Sequence, residues 1–429
     1  MLKRMEGAGS FRRSRSLPRP IAASLLLIVG IAACEEPVPS ISGEEPFMVS
    51  DSLGITLADN FVQEWTLEEE PRLGDPPALR IGEEGSGVDL WGIHDVVGLD
   101  DGGFLIGMNV GREVLLVDSL GQVSGRVQAT GEGPGEFRRL RDLAVRPRGG
   151  FGGYDAQLQR VVMFDEGGQV DRSVTIDARG GPLQRRLIGF LGDDAMLFGE
   201  EQAPEPAARS GSVVVDGDLV VYSPDGQPRD TLMSLPFREY HRFTGREAGA
   251  AALPSEMHLP LASRAFVRVH DGRIYVAHGS AYEIRVMDAS GALEMLIRYR
   301  GSLRPFDSAH REDMMHRMGQ NIPNAVRAEW DRRMEALPWP TFFPAIEALE
   351  IGGDGRVWVC GHRQADMGTH DEDPLLCRWS VFESDGRMLG SVFSGSWDVA
   401  DITGEVVLKR SQGEMGQEVV EAFTLGRNP

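Results

Sequence analysis

The sequence predicts an all-β fold, a six-bladed β-propeller with a small helical insertion between blades 4 and 5, and three observations indicate it. The first is an internal repeat: residues 94–127 and 141–174 align without a gap at an offset of 47, with ten of the 34 positions identical. The second is a Gly-containing turn that recurs along the chain. The third is a set of three strands near the C-terminus that one strand near the N-terminus completes to a blade. Repeats of about 40 to 50 residues built from short strands and Gly turns are typical of propeller blades.

The recurring turn has the form apolar–polar–x–x–Gly and follows a run of residues typical of a strand. Gly supplies the positive φ that a tight hairpin requires, so each turn predicts a hairpin between the third and fourth strands of a blade. A second Gly turn, earlier in most units, predicts the hairpin between the first and second strands. The first kind occurs at residues 117–121, 164–168, 222–226, 287–291 and 382–386, and the second at 101–102, 149–150, 271–272, 354–355 and 403–404.

These turns divide the chain into five complete blades and one incomplete blade. Residues 397–425 offer only three strands, and Ile55–Asp59, which follows a turn of the same form, offers a fourth. We therefore expect Ile55–Asp59 to pair with the strand around Glu418–Thr424, which closes the ring and removes open sheet edges. The complete blades are predicted near residues 88–130, 138–180, 183–236, 262–300 and 343–393.

Two inserts interrupt the repeat, and both lie in connections from the outer strand of one blade to the inner strand of the next. Residues 237–261 have no clear pattern, whereas 306–337 read as helical, with Asp307 or Ser308 as the N-cap and a break at Pro323. Connections of this kind share one face of a propeller. We expect the Met-rich side of the helical insert to pack on the blade tops; a groove for a lipid or a partner is the alternative.

The first 33 residues have the pattern of a signal peptide. A basic segment precedes the mostly apolar stretch Ile21–Ala33, which is shorter than the roughly 20 apolar residues that span a membrane. The following residue, Cys34, completes a sequence that resembles the lipobox of bacterial lipoproteins. The resemblance implies cleavage before Cys34 and lipid on its sulfur; an ordinary signal peptide with an incidental Cys is the alternative.

Residues 34–46 read as a flexible tether, because this Pro-, Glu- and Ser-rich segment cannot bury a core, and residues 47–429 read as the propeller. The expected location is the bacterial cell envelope, with the protein exported and anchored by lipid. Glu35 follows Cys34 in place of the Asp that retains lipoproteins at the inner membrane, so we expect the outer membrane.

The charge of the chain argues against nucleic acid as a partner. The first 33 residues carry six bases and one acid, so their removal takes the formal net charge from −21 to −26. A surface this acidic repels phosphate backbones. We therefore expect no nucleic acid, a membrane contact through the lipid anchor alone, and an unknown small-molecule or protein ligand at the mouth of the channel.

One blade resembles the NHL repeat. Its segment 131–137 (GEGPGEF) matches the GxGPGxF loop of that family, Asp155 closes the second strand, and Arg160 stands five residues later. Leu158 replaces the usual Asn, and later blades fit only in their turns. The resemblance implies a six-bladed, NHL-like propeller of bacterial lipoprotein type. Asp155 and Arg160 face each other across a hairpin, and we expect them to pair and hold the glycine loop.

The sequence contains no nucleophile elbow, P-loop or dinucleotide motif at a usable location, so no catalytic residue is assigned. Some propellers are enzymes that hold a divalent cation such as Ca²⁺ at the channel mouth with several oxygen ligands. Asp95 and Asp142 begin equivalent inner strands and could supply two of them, but Ala265 and Ala348 occupy that position in later blades. A metal-dependent hydrolase of lactonase type, or a lyase, is therefore the alternative function, and no metal ligands are assigned.

The leading hypothesis is a ligand- or protein-binding or scaffold module without a cofactor. Its candidate site is a group of charged residues where inner strands begin; ion pairing within the fold is the alternative role. These residues are His94, Asp95, Arg138, Arg141 and Asp142. Separately, Cys360 and Cys377 lie on neighbouring strands, and in an oxidising compartment they are candidates for a disulfide; two buried thiols out of register are the alternative.

Overall fold

The strands assemble into six sheets, and the first four strands of each complete unit lie side by side in chain order. The computed structural model describes residues 46–66, 69–83, 85–109, 112–128, 130–133, 135–177, 184–202, 210–244, 253–362, 378–394, 399–413 and 415–426.

Sheets 1 to 3 are formed by consecutive segments of the chain. Sheet 1 contains Ile93–Gly98, Phe104–Met108, Glu113–Val117 and Val123–Gln128. Sheet 2 contains Leu140–Val145, Phe151–Asp155, Arg160–Phe164 and Val170–Thr175. Sheet 3 contains Gln184–Phe190, Met196–Glu201, Gly211–Tyr222, Pro228–Arg242 and Glu256–His258, with a 3₁₀ turn at Gly192–Asp194.

Sheets 4 and 6 also recruit strands from the N-terminal part of the chain. Sheet 4 contains Ala265–His270, Arg273–His278, Glu283–Met287 and Leu293–Tyr299, followed outward by Ile55–Asn60 and Phe47–Ser52. Sheet 5 contains Ala348–Ile351, Val357–Gly361, Arg378–Phe382 and Met388–Val392. Sheet 6 contains Val399–Thr403, Val406–Gln412 and Glu418–Gly426, followed outward by Arg72–Leu73 and Leu79–Ile81.

The first strands of the six sheets form a ring. Each contacts the first strand of the next sheet, and the first strand of sheet 6 contacts that of sheet 1. Apolar clusters fill the spaces between neighbouring sheets; between sheets 1 and 2, Phe137, Phe151 and Phe164 are almost completely buried. Burial of each such side chain contributes about 1.5–3 kcal/mol. This arrangement is a β-propeller, as the sequence predicts.

The repeated turn owes its sequence to one hydrogen-bonding pattern. Asp118 Oδ1 accepts hydrogen bonds from the backbone N–H groups of Leu120 and Gln122. Asp165, 47 positions later, repeats this pattern, and the Gly that ends each turn has a positive φ. The polar residue and the Gly thus fix the hairpin between the two outer strands.

The prediction of which segment completes the last sheet is wrong. Ile55–Asn60 does not pair with the last strand of the chain; it runs parallel to Leu293–Tyr299 at the outer edge of sheet 4. Leu79–Ile81 instead pairs with Glu418–Gly426. Asn60 accounts for the difference: its side-chain amide donates to the carbonyl oxygens of Arg298 and Gly386 and accepts from Met388 N, which holds the strand between sheets 4 and 5.

Between these two docking places, contacts at Glu64, Trp65 and Glu70 join the chain to sheet 5. The backbone N–H groups of Glu64 and Trp65 donate to the carbonyl oxygens of Met388 and Leu389, and Glu70 pairs with Arg378 at 2.8 Å. The N-terminal segment 46–81 therefore contacts sheets 4, 5 and 6 in turn. We call this segment the N-terminal strap.

The helical insert forms two helices, α1 (Ser308–Gly319) and α2 (Arg327–Ala336), with a 3₁₀ turn at Asn324–Val326 between them. Asp307 is the N-cap of α1, as predicted, and accepts from Ala309 N and His310 N. Trp330 and Met334 pack against Phe243 and against partly buried side chains of 253–259. The other insert is more regular than expected, since the strand from Pro228 extends to Arg242. The two inserts thus pack on each other.

Candidate functional site

A central cavity of about 1540 Å³ runs through the ring and is lined by the first strands of all six sheets. Its wall is rich in charged side chains. Among the described residues, five arginines and several carboxylates line it beside Val, Leu and Ile side chains. The ionisable groups discussed below are Asp95, Asp142, Arg186, Arg264, Arg268, Glu347, Glu350 and Asp401.

Asp95 and Asp142, the repeat-related pair, perform the same structural task. Asp95 Oδ2 accepts a hydrogen bond of 2.8 Å from Leu143 N in sheet 2. Asp142 Oδ2 accepts one of 3.0 Å from Leu187 N in sheet 3. Each carboxylate therefore joins its own sheet to the next. Burial raises the pKa of Asp95 to about 7, and it also raises the pKa of Asp142.

Asp401 extends this series across the junction between the last sheet and the first. Its carboxylate accepts from Gly98 N in sheet 1 at 2.7 Å and from Ile402 N at 2.8 Å. Burial, with a smaller contribution from the charge of Glu350, raises the pKa of Asp401 to about 7. Carboxylates thus join sheet 6 to 1, sheet 1 to 2 and sheet 2 to 3.

Sheets 4 and 5 are joined by an ion pair in place of a carboxylate–amide bond. The guanidinium of Arg268 donates two hydrogen bonds to the carboxylate of Glu350. Although burial opposes the charged form, this pairing raises the pKa of Arg268 above its ordinary value. Both side chains line the central cavity, so the ion pair spans the wall of the channel.

The structure divides the group of charged residues predicted to form the ligand site. Asp95 and Asp142 line the cavity, whereas His94, Arg138 and Arg141 are not part of its lining. Neighbouring side chains on an extended strand point to opposite sides, which separates Arg141 from Asp142. Arg138 pairs with Glu132 at 2.6 Å on the loop between sheets 1 and 2. Burial lowers the pKa of His94 to about 4, so its imidazole is neutral at physiological pH.

The glycine loop is held to sheet 2, but not by the expected ion pair. Asp155 and Arg160 are register partners, yet their side chains bind different parts of the backbone. Asp155 accepts from Arg138 N and Arg139 N, while Arg160 donates to the carbonyl oxygens of Glu132, Gly133 and Glu136. These hydrogen bonds join the loop to sheet 2, which supports a structural role for this motif.

Sequence reasoning missed Arg186, Arg264 and Arg268. Arg186 lies near the start of the first strand of sheet 3, Arg264 immediately before the first strand of sheet 4, and Arg268 in the middle of that strand. In these sheets the repeat is recognisable only in its turns. One signal was available: a basic residue immediately before or within a strand that is otherwise apolar, as in 264–269 (RAFVRV). Such residues require a polar space beside the strand.

Cys360 is almost fully buried and disulfide-bonded. The other two cysteines of the chain, Cys34 and Cys377, lie outside the described residues, as do the signal peptide and most of the tether. The pairing of Cys360 with Cys377 and the lipidation of Cys34 remain predictions.

Two further observations concern the described part of the chain. No three or more His, Cys, Asp or Glu side chains there are grouped so that they could hold a metal ion. None of its helices is long and apolar enough to cross a membrane.

The fold and the cavity together define a β-propeller with a charged central channel. No protein-family model matches this chain, and no curated protein matches it significantly. Solved structures do align with it. A candidate exported protein of Bacteroides fragilis aligns at 9% identity with a TM-score of 0.45, over 86% of this chain and 99% of its own.

Two further solved structures align over most of their length. A member of the DUF4221 family from Bacteroides vulgatus has 8% identity and a TM-score of 0.46, over 84% of this chain and 99% of its own. Virginiamycin B lyase from Staphylococcus aureus has 8% identity and a TM-score of 0.35, over 77% and 94%. At these identities and TM-scores, what those proteins do says nothing about the ligand or reaction of this chain.

Proposed function

We propose that this chain is a lipid-anchored, exported, six-bladed propeller of NHL-like type that binds a ligand through the mouth of its central cavity. The observation that supports the proposal most directly is the polar wall of that cavity. Concave sites with a few fixed polar groups are where ligands are usually bound. The six sheets serve as the blades, and the cavity is the concavity that the ring creates.

The mouth nearest the start of the first strands is the proposed opening. Leu259, Leu261 and Ala262, from the connection between sheets 3 and 4, line the cavity. The same connection packs against α2 through Met257 and Leu259. The helical insert therefore supports one side of the rim, and loops supported by a rigid scaffold are common binding surfaces.

A binding role fits the carboxylates better than catalysis does. Asp95, Asp142 and Asp401 each accept a backbone hydrogen bond from the next sheet, and Glu350 is paired with Arg268. Groups engaged in this way hold the wall together. The alternative, a metal-dependent hydrolase or lyase, requires several oxygen ligands that converge on one point, and no observation favours it.

The test uses the full-length protein purified in mild detergent and a thermal-shift screen of defined organic acids, sugars and amines. Ala262→Trp places a large side chain in the mouth, and Ala289→Trp, on an exposed turn of sheet 4, is the matched control. We expect stabilisation by a ligand in the wild type and the control but not in Ala262→Trp. Stabilisation that survives Ala262→Trp, or turnover of lactones and esters that requires added Ca²⁺, would contradict the proposal.

A further inference from the structure

Within the described residues, five arginines line the central cavity, and four of them are paired with a carboxylate. The pairs are Arg146–Asp194 at 2.7 Å, Arg186–Asp142 at 3.3 Å, Arg238–Glu201 at 2.8 Å and Arg268–Glu350. Arg264 is the exception: its side chain forms neither an ion pair nor a hydrogen bond. The difference sets Arg264 apart from side chains that serve to join the sheets.

Arg264 lies immediately before the first strand of sheet 4, at the mouth of the cavity. Its guanidinium carbon stands 4.9 Å from the ring centre of Phe266. The ring holds one face of the planar group and leaves its N–H edges free to donate to a ligand. The side chain is therefore positioned although no carboxylate of the protein holds it.

The electrostatic surroundings of Arg264 contain charges of both signs. Burial lowers the pKa of Arg264; the carboxylate of Glu347 raises it, and the nearby cations Arg186 and Arg268 have smaller effects that lower it. An arginine nevertheless remains protonated in proteins. Arg264 is exposed, and a guanidinium without a carboxylate partner can form charge-assisted hydrogen bonds with an anion that binds there.

We infer that Arg264 is the anchor of an anion-binding site at the mouth of the cavity, and that its ligand is a small organic monocarboxylate. This inference rests on the proposed function, because it names the ligand class of the same cavity. The planar fork of a guanidinium matches the two oxygens of a carboxylate. Phe237, Leu261 and Ala262 line the same cavity and offer apolar surface to the organic part of the ligand.

The neighbouring acids favour a single negative charge on the ligand. Asp142, Glu347 and Glu350 line the same cavity as Arg264. A second negative charge on the ligand, as on a phosphate or a dicarboxylate, adds repulsion from these carboxylates. An ammonium group on the ligand is not required, since the acids are already engaged with Arg186, His362 and Arg268.

The test is isothermal titration of the full-length protein with acetate, lactate, benzoate and octanoate, and with inorganic phosphate and sulfate, at constant ionic strength. Arg264→Gln removes the charge. Arg273→Gln is the control, because Arg273 pairs with Glu294 at 3.0 Å and lies outside the lining of the cavity. We expect at least one monocarboxylate to bind the wild type and Arg273→Gln, and to bind Arg264→Gln about tenfold more weakly or worse. The affinity of Arg264→Lys should lie between those of the wild type and Arg264→Gln, because lysine keeps the positive charge but lacks the planar guanidinium fork.

Three results would overturn the inference: equal affinity for Arg264→Gln, tighter binding of phosphate or sulfate than of any monocarboxylate, or no binding of the four monocarboxylates at about 10 mM, where even weak sites are occupied. Melting curves of each variant show whether it is folded. Ala262→Trp separates this failure from failure of the proposed function. A ligand that binds Arg264→Gln as tightly as the wild type but does not bind Ala262→Trp occupies the cavity without using Arg264. A ligand that binds both variants as tightly as the wild type lies elsewhere.

Discussion

The carboxylate of Asp95 accepts a hydrogen bond from the backbone amide of Leu143 across the boundary between two sheets, and the residue 47 positions after Asp95 repeats the contact with the following sheet. An identical residue in two repeats thus has a structural cause. The contact requires a short acceptor at the start of the first strand, which Asp provides. The contact between neighbouring sheets therefore explains part of the sequence repeat.

The burial of Asp95 predicts a pH-dependent stability. Burial raises the pKa of Asp95 to about 7, so between pH 4 and 7 the folded protein holds a proton that the unfolded chain has released. The stabilisation is complete below the ordinary carboxyl pKa and is lost as the pH rises through about 7. The melting temperature of the wild type should therefore fall as the pH rises from 6 to 8. The melting temperature of Asp95→Asn should fall by about 1–3 °C less over the same range. Asp230→Asn, at an exposed position, should follow the wild type; identical slopes for all three proteins would contradict this.

Asn60 should be one of the most sensitive positions of the strap. Its buried amide makes hydrogen bonds of 3.1, 2.9 and 2.7 Å with Arg298 O, Gly386 O and Met388 N. Asn60→Ala leaves these backbone groups without partners, and we expect a loss of about 2–4 kcal/mol in the free energy of unfolding, measured by urea titration. Asn109→Ala, at an exposed position, is the control. Equal midpoints for the two variants would argue against a structural role for Asn60.

Arg160 should determine the order of the glycine loop. Its guanidinium donates to three carbonyl oxygens of residues 132–136, so Arg160→Ala should increase amide hydrogen exchange there by about tenfold, with little change in the other sheets. Arg148→Ala removes an exposed arginine and is the matched control. Unchanged exchange at 131–137 would mean that the loop is ordered by Asp155 and Phe137 alone.

The proposed anchor makes a prediction about location. Two or more acyl chains hold a protein firmly on a membrane, so wild-type protein should remain in the membrane fraction after a high-salt wash, and Cys34→Ala should be released into the soluble fraction. Ser40→Ala, in the tether, should behave as the wild type does. Retention of Cys34→Ala on the membrane would show that lipid on Cys34 is not the anchor.

The sequence predicts the sheets well and the charged cavity poorly, for a physical reason. Turns such as 117–121 and 164–168 depend on local rules, an Asp that caps the turn and a Gly with positive φ, so they are visible in one sequence. The place where Ile55–Asn60 docks depends on contacts with residues more than 230 positions away, which no local pattern reveals. Arg264 cannot be singled out from the sequence for a related reason. The other described arginines of the cavity have carboxylate partners and Arg264 has none, and this difference depends on the folded structure.

The N-terminal strap has a consequence for the order in which the molecule is completed. Asn60 and Met388 are 328 positions apart, and Leu79–Ile81 pairs with a strand that begins at Glu418. Because synthesis proceeds from the N-terminus, the strap leaves the ribosome long before its partners exist. Phe47–Ser52 and Ile55–Asn60 pair with each other, but the strap has no partner in sheets 4 to 6 while sheets 1 to 3 form, and we expect its docking to be the last and slowest event of folding. A nascent chain that stops before residue 388 would still carry an open ring.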